Sequence, residues 1–172
     1  MERITFLYEL HRKPIFGYFL RMTGSKEEAS ELTQETFYQA CLSLYRFKGE
    51  ASLKTWLFSI ARNVYLKFVR EKGKRKEMIR EGPFSENRPA PGPPDPSAEA
   101  LILKEEREKI RKGLARIPEK DRTIIILKEF QGLSYEEVAT VFDQTVNWAR
   151  VNFFRAKKRL GNIYREQEVD GI

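Results

Sequence analysis

Apolar residues along this chain recur at spacings of three and four, the repeat of a helix with one buried face. Ala29, Leu32, Thr36/Phe37, Ala40 and Leu44 keep that spacing, and so do Leu53, Leu57, Ile60, Val64 and Phe68. Strand-like alternation is nearly absent, and no Asn-Gly or Asp-Gly hairpin signal occurs. The pattern predicts a helix from Ile4 to Met22, interrupted near Pro14 and ended by Thr23-Gly24. Ser25 should cap a second helix, with Glu28 completing a capping box, and this helix should run to about Phe47. Lys48-Gly49-Glu50 is a break. Ser52 should begin a third helix reaching about Lys74, with Trp56 in the core.

The prolines then divide the chain. Six of the eight lie between Pro83 and Pro96, in GPFSENRPAPGPPDPS, which cannot continue a helix and favours extended chain. Residues 76–97 read as a linker between an N-terminal domain, 1–75, and a C-terminal domain, 98–172. In the second domain the spacing predicts helices over 98–117 and 119–131, then a break at Gly132-Leu133. Ser134 and Glu137 form a second capping box for a short helix ending near Phe142, and a last helix follows from about Thr145 to Gly161. The expectation is an all-α protein: a helical bundle and a helix-turn-helix unit joined by a Pro-rich linker. Short helix, tight turn and longer basic helix form a pair that DNA-binding domains use, though other small helical domains contain it too.

Charge sharpens this picture. The net charge is +7, but it is unevenly spread. Arg46 to Lys76 holds ten basic residues and two acids, and Arg150 to Arg165 holds six and none. Between Ala98 and Asp143, nine basic residues face ten acids. Asn63, Lys67, Arg70 and Lys74 share one helix face, with aromatic residues interleaved, which suits opened or single-stranded nucleic acid. Glu31, Gln34, Glu35 and Tyr38 share a face of opposite character, which would repel DNA and could dock a basic protein surface. Spacing alone favours an ordinary exposed face there.

Other chemistry is scarce. One cysteine cannot form an internal disulfide, and with the lone His11 it excludes Cys-rich zinc sites and most histidine chemistry. Cys41 reads as a small packing residue and His11 as a surface or helix-junction residue. The longest apolar run, Ile124 to Leu127, is four residues, far from the ~20 of a membrane span. With no apolar segment near Met1, the chain reads as cytoplasmic and without membrane insertion. No metal cluster, phosphate loop or nucleophile–base spacing supports an enzyme, although Glu35 beside Gln34, or His11 near Glu9, could be advanced as acid–base pairs. No cofactor is expected.

Four segments in order carry a family resemblance: ELTQETFYQA (31–40), LKTWLFSIARN (53–63), LARIPEKDRTIIILKEFQGLSYEEVATVF (114–142) and FFRAKKRL (153–160). Together they resemble the extracytoplasmic-function (ECF) group of the sigma-70 family of bacterial RNA polymerase sigma factors. The resemblance implies that Glu31, Gln34, Glu35 and Tyr38 dock on core polymerase. It implies that Phe47, Lys48, Lys54, Arg62 and Asn63 capture a flipped base of the −10 element, while Lys67, Arg70 and Lys74 hold phosphates of the separating strands. Asn147, Trp148, Arg150, Val151, Phe154, Arg155 and Lys158 would meet the −35 element in the major groove, with Ala149, Phe153, Ala156 and Leu160 facing inward. Implied partners are core RNA polymerase, promoter DNA and, in many members, an anti-sigma factor.

Some positions depart from the family pattern. Ser30-Glu31 stands where Glu-Asp is usual, Lys67 where Asp is usual, and Trp148 and Asn152 are uncommon in the recognition helix. A competing reading is a stand-alone helix-turn-helix regulator, which would usually need a dimer, and no heptad seam is evident.

Overall fold

The computed structural model describes residues 2–78 and 98–169, with side chains described over 2–75 and 101–169. Most of the expected linker, 79–97, lies outside the described residues. Within them all regular structure is helical: α1 (Glu2–Thr23), α2 (Lys26–Ser43), α3 (Leu53–Met78), α4 (Ala98–Arg116), α5 (Glu119–Ile125), α6 (Tyr135–Phe142) and α7 (Val146–Val169). A 3-10 turn, Leu44–Arg46, follows α2, and a π-helical turn, Ile126–Phe130, follows α5. Helices α1–α3 form an N-terminal unit and α4–α7 a C-terminal unit.

The first helix corrects the expected break. It passes through Pro14 unbroken. A proline inside a helix costs about 3 kcal/mol, but Leu7, Ile15, Tyr18 and Phe19 on both sides of it are buried. At about 1.5–3 kcal/mol for each large side chain, that burial outweighs the local cost. The capping box expected at α2 is only half formed. The Ser25 hydroxyl accepts from the Glu28 N–H at 3.3 Å, but the Ser25 N–H donates to Thr23 Oγ1 instead. The Glu28 carboxylate is held by Lys72 Nζ of α3 at 2.7 Å. The box at α6 is complete, with Glu137 Oε2 accepting from the Ser134 N–H at 2.8 Å and Ser134 Oγ from the Glu137 N–H at 3.1 Å.

Helix α3 buries more than the expected stripe. Leu57 and Val64 are buried, with Leu53, Ile60 and Phe68 partly covered. Phe58, Ala61 and Tyr65, on a second flank, are buried as well. Both α1 and the C-terminal unit cover that flank: Phe58 packs on the Tyr18 ring, Tyr65 meets Arg122, and α6 packs along α3. One continuous apolar core runs from α1–α3 into Ile124, Ile126, Leu127, Leu133, Val138 and Phe142. A smaller cluster, Leu114, Ile117, Ile125 and Ala156, holds α4, α5 and α7 together. Gly113 admits the close approach of α7, since a Cβ there would stand 3.0 Å from Leu160 Cδ1. The turn between α6 and α7 places Asp143 in the left-handed region (φ 52°), a conformation Asp tolerates better than most residues. Helix α7 also runs past Gly161 to Val169, because Ile163 packs on the smaller cluster beyond it. Cys41 is exposed, which overturns its reading as a packing residue: its neighbour Ala40 takes the core-facing position.

Candidate nucleic-acid interface

Helix α7 presents two distinct faces. Ala149, Asn152 and Ala156 are buried, with Phe153 and Leu160 partly covered. Asn152 turns inward and donates from Nδ2 to the Trp148 carbonyl at 2.9 Å, so it belongs to the packed face. Asn147, Arg150, Val151, Phe154, Arg155 and Lys158 lie on the other side and are exposed. Phe154 keeps 71% of its surface open, far more than an aromatic residue normally leaves in water. The Arg150 guanidinium lies 5.7 Å from the Tyr135 ring centre. Trp148 is half-buried, its ring 5.1 Å from that of Phe142. It therefore braces the turn between α6 and α7 and only flanks the open face. The Thr145 hydroxyl accepts from the Trp148 N–H at 3.1 Å and fixes the start of the helix.

The absence of acids between Arg150 and Arg165 is partly offset from other elements. Lys157 pairs with Glu129 at 3.1 Å, and Arg159 pairs with Asp121, which is 1% exposed. The open cations of the helix are thus concentrated on the face that carries Phe154.

The second candidate surface lies on α3. Asn63, Lys67, Arg70 and Lys74 are all exposed. They do not stand apart from the acidic stripe. An open groove of about 610 Å³ runs between α2 and α3, with Glu31, Glu35 and Gln39 on one wall and Asn63 and Lys67 on the other. Its floor is apolar, from Leu32, Ile60, Val64 and Phe68. The Gln39 amide donates to Glu35 Oε1 at 2.7 Å and orients that carboxylate. Glu31, Gln34, Glu35 and Tyr38 are exposed, and Leu42 and Tyr45 continue the stripe as exposed apolar residues. Sequence spacing found each stripe but not their meeting at one groove, because nothing in it fixes the angle between α2 and α3.

The loop before α3 turns at Gly49 (φ 74°). Phe47 is half-buried, its ring 5.2 Å from Trp56, and Lys48 is exposed. Lys54 and Arg62 point elsewhere. Lys54 Nζ donates to the Gln131 carbonyl at 2.7 Å. The Arg62 guanidinium sits 4.1 Å from the Phe142 ring centre, and its Nε is 3.5 Å from Glu119 Oε1. Both residues, expected beside the −10 element, are engaged by the C-terminal unit in this arrangement.

A polar seam joins the two units around these contacts. Arg122 donates to the Met22 carbonyl at 2.7 Å and to the Tyr65 hydroxyl at 3.4 Å. The Gln131 amide donates to the Pro14 carbonyl at 3.1 Å, and the Arg21 guanidinium lies 4.2 Å from the Phe130 ring centre. Burial pushes the Tyr18 phenol well above its ordinary range and raises that of Tyr65. Burial, with Lys54 nearby, lowers His11. No sequence signal marks Arg122 as a seam residue, since its partners Met22 and Tyr65 lie 100 and 57 positions away. Among the described residues, no cluster of His, Cys, Asp and Glu could hold a metal ion. No described helix is long and apolar enough to cross a membrane.

Comparison with known proteins agrees with this layout. Residues 7–75 match the family profile Sigma-70 region 2, and residues 107–160 match Sigma-70, region 4. The RNA polymerase sigma factor YlaC of Bacillus subtilis is 28% identical over 99% of this chain and 98% of its own. The ECF RNA polymerase sigma-E factor of Haemophilus influenzae is 30% identical over 91% of this chain and 84% of its own. In fold, the chain is similar to the sigma factor RpoE of Bartonella quintana, solved with the anti-sigma factor NepR. That match has a TM-score of 0.77 and 23% identity, and covers 96% of this chain and 98% of the other. With both sigma-70 regions present in order and the relatives matched over most of their length, the chain belongs to the ECF group of the sigma-70 family of RNA polymerase sigma factors.

Proposed function

We propose that the chain binds core RNA polymerase and directs initiation at promoters with −35 and −10 elements, the polymerase supplying the chemistry. The observation that carries this reading is the pairing of an exposed cationic-aromatic face on α7 with an exposed Asn63–Lys74 stripe on α3, one in each sigma-70 region. The α7 face would enter the major groove of the −35 element, with Arg150 and Arg155 suited to base edges or phosphates and Val151 and Phe154 to thymine methyl groups. Asn63, with Phe47 and Lys48 from the preceding loop, would hold a flipped −10 base. Lys67, Arg70 and Lys74 would track phosphates. Lys54 and Arg62 would join that surface once freed from the C-terminal unit.

Glu31, Gln34, Glu35 and Tyr38 would dock on a basic surface of core polymerase, where an acidic stripe gains from charge complementarity. Residues 1–75 would then form the polymerase- and −10-binding domain, 76–97 the connection and 98–172 the −35 domain. The site of action would be the cytoplasm, beside DNA. An anti-sigma factor is a further proposed partner, as seen with the Bartonella quintana protein.

Run-off transcription tests this reading. Core polymerase from a matched source is given genomic fragments with and without the protein, and transcript starts are mapped. Discrete new starts sharing two upstream elements are the expected result. Glu35→Lys should abolish them by weakening the complex with core, and Asn63→Ala by impairing melting while that complex persists. Specific duplex binding by the chain alone, with no complex with core, would favour the stand-alone regulator instead.

A further inference from the structure

We propose that the cleft between α1 and α2 is a binding site for a small nucleoside phosphate, a role separate from promoter recognition and independent of it. The cleft is open and holds about 290 Å³. That is the small end of the range for ligand pockets, about 300–1,000 Å³, so it suits a single nucleotide rather than a dinucleotide. Helix α1 contributes Tyr8, Arg12, Lys13 and Phe16 to it, and α2 contributes Ser30, Thr33 and Gln34.

The α1 side is cationic. No acidic side chain lines the cleft. Arg12 and Lys13 are both exposed, and among the described residues neither is in an ion pair. Their charge is therefore available to an anion. Arg12 is also held in place: its guanidinium lies 5.7 Å from the Tyr8 ring centre, and that ring stands edge-on to Phe37 at 4.9 Å. A guanidinium placed in this way offers its planar fork to phosphate oxygens at less ordering cost than a free arm.

The α2 side supplies neutral polar groups. The Thr33 hydroxyl is spent, donating to the Ala29 carbonyl at 2.6 Å. The Ser30 hydroxyl and the Gln34 amide have no hydrogen-bond partner among the described residues. The amide both donates and accepts, as the edge of a base or the hydroxyls of a sugar require. Tyr8, 39% exposed, and the half-buried Phe16 give the cleft an apolar side against which a flat ring packs. Inorganic phosphate would use only the cations, whereas a nucleotide uses the cations, the rings and the free amide together.

The position of the cleft favours a free ligand over a nucleic-acid strand. Glu31 and Glu35 each follow a cleft residue, Ser30 and Gln34, by one position, and they face the groove toward α3. They stand between the cleft and the Asn63–Lys74 stripe, so a strand joining the two would have to cross carboxylates, which repel its phosphates.

The test titrates the isotope-labelled full chain with adenosine monophosphate, guanosine monophosphate, inorganic phosphate and adenosine, followed by backbone amide NMR signals. Either nucleotide should give saturable shifts centred on residues 8–16 and 30–34. Inorganic phosphate and adenosine should each bind there about tenfold more weakly, since each makes only part of the contacts. Arg12→Gln/Lys13→Gln should weaken nucleotide binding by about tenfold or more, as the loss of charge-assisted hydrogen bonds does. Lys104→Gln/Lys112→Gln removes the same charge from exposed positions of α4 and should leave nucleotide binding unchanged. Tyr8→Leu should weaken it by about fivefold or more through loss of the ring, and Tyr8→Phe, which keeps the packing on Phe37, should retain it. Inorganic phosphate binding as tightly as the nucleotides would overturn the nucleotide class. Equal losses in the two Lys/Arg double variants, or shifts confined to α3 and α7, would reduce the effect to diffuse attraction by a basic protein and overturn the site. Tighter binding of a glutamate-rich peptide at the same residues would assign the cleft to an acidic protein partner instead. All of these are read on the free chain, so their failure leaves the promoter reading untouched.

Discussion

Arg122, in the last turn of α5, donates a 2.7 Å hydrogen bond to the carbonyl of Met22, in the last turn of α1, from a hundred residues further along the sequence. The last carbonyls of a helix have no partner within it and carry the negative end of its dipole, so a cation there is doubly favoured. A residue of the C-terminal unit thus caps a helix of the N-terminal unit. The stability of one unit is thereby coupled to the presence of the other.

That coupling is measurable in the unfolding of the full chain. Arg122→Met keeps the aliphatic stem and removes the charged donor, which should cost about 1.5–3 kcal/mol. The wild-type chain should unfold in urea in one transition reported alike by Trp56 and Trp148 fluorescence. In the variant the two probes should report separate midpoints. Coincident midpoints with unchanged stability would show that the cap carries no coupling.

A second ion pair lies wholly inside the C-terminal unit. Asp121, in the first turn of α5, is buried and meets Arg159 of α7, whose own side chain remains half-exposed. Arg159→Ala should cost about 2 kcal/mol, since it leaves a buried carboxylate without its charged partner. Arg159→Ala/Asp121→Asn should recover part of that loss, because the remaining group is neutral. The comparison is made by urea denaturation of both variants. Equal stability of the single variant and the wild type would mean that solvent reaches Asp121 as effectively as Arg159 does.

The two capping boxes show what the sequence could and could not reveal. Ser25/Glu28 and Ser134/Glu137 have the same spacing, yet only the second closes. The difference is Lys72, which reaches Glu28 from a helix 44 residues away. Local signals therefore located the helix starts and the inward face of α7, where Ala149 and Ala156 are fully buried. They could not show that α3 has a second buried flank at Phe58, Ala61 and Tyr65, since its cover comes from other helices, with Tyr18 of α1 on Phe58 and Arg122 of α5 on Tyr65. The acid-free stretch from Arg150 to Arg165 likewise hid its partners Glu129 and Asp121, which arrive from α5 and the π-helical turn after it. Periodicity along one helix speaks of that helix alone, and the seam is made of what lies between helices.

The same contrast yields a stability prediction. Glu137→Ala removes a cap bond that closes a complete box and should destabilise the C-terminal unit by about 1 kcal/mol. Glu28→Ala removes only a part-exposed pair with Lys72 and should cost about 0.5 kcal/mol at most. Thermal melts of the full chain, fitted for each variant, decide the order. A larger loss from Glu28→Ala would show that its tie to α3 matters more than its exposure suggests.

His11 supplies a pH dependence. Burial first, and Lys54 second, lower its pKa below the ordinary 6.5. Between the folded and unfolded values the unfolded chain binds a proton that the folded chain does not. Stability should therefore fall as pH drops below about 6.5 and level off beneath the folded value. His11→Gln should flatten that part of the curve. Urea midpoints between pH 5 and 8 test this, and a wild-type curve with the opposite slope would mean that the folded state favours the charged imidazole.

The exposed face of α7 allows a separation of electrostatic from apolar recognition. Phe154 is open to solvent and stands outside both apolar clusters of the fold. Phe154→Ala should therefore change stability by less than about 0.5 kcal/mol. Lys158, also exposed, is on the same face. If it meets a phosphate, Lys158→Ala should weaken holoenzyme binding across promoters alike and reduce the salt slope by about 0.9. Phe154→Ala should leave that slope unchanged and reduce discrimination at particular −35 positions, because an aromatic ring carries no charge to release counterions. Filter binding of holoenzyme to promoter fragments at several salt concentrations reads both effects in one series. A changed slope for Phe154→Ala, or an unchanged one for Lys158→Ala, would mean that α7 sits in the groove in a different rotation about its axis.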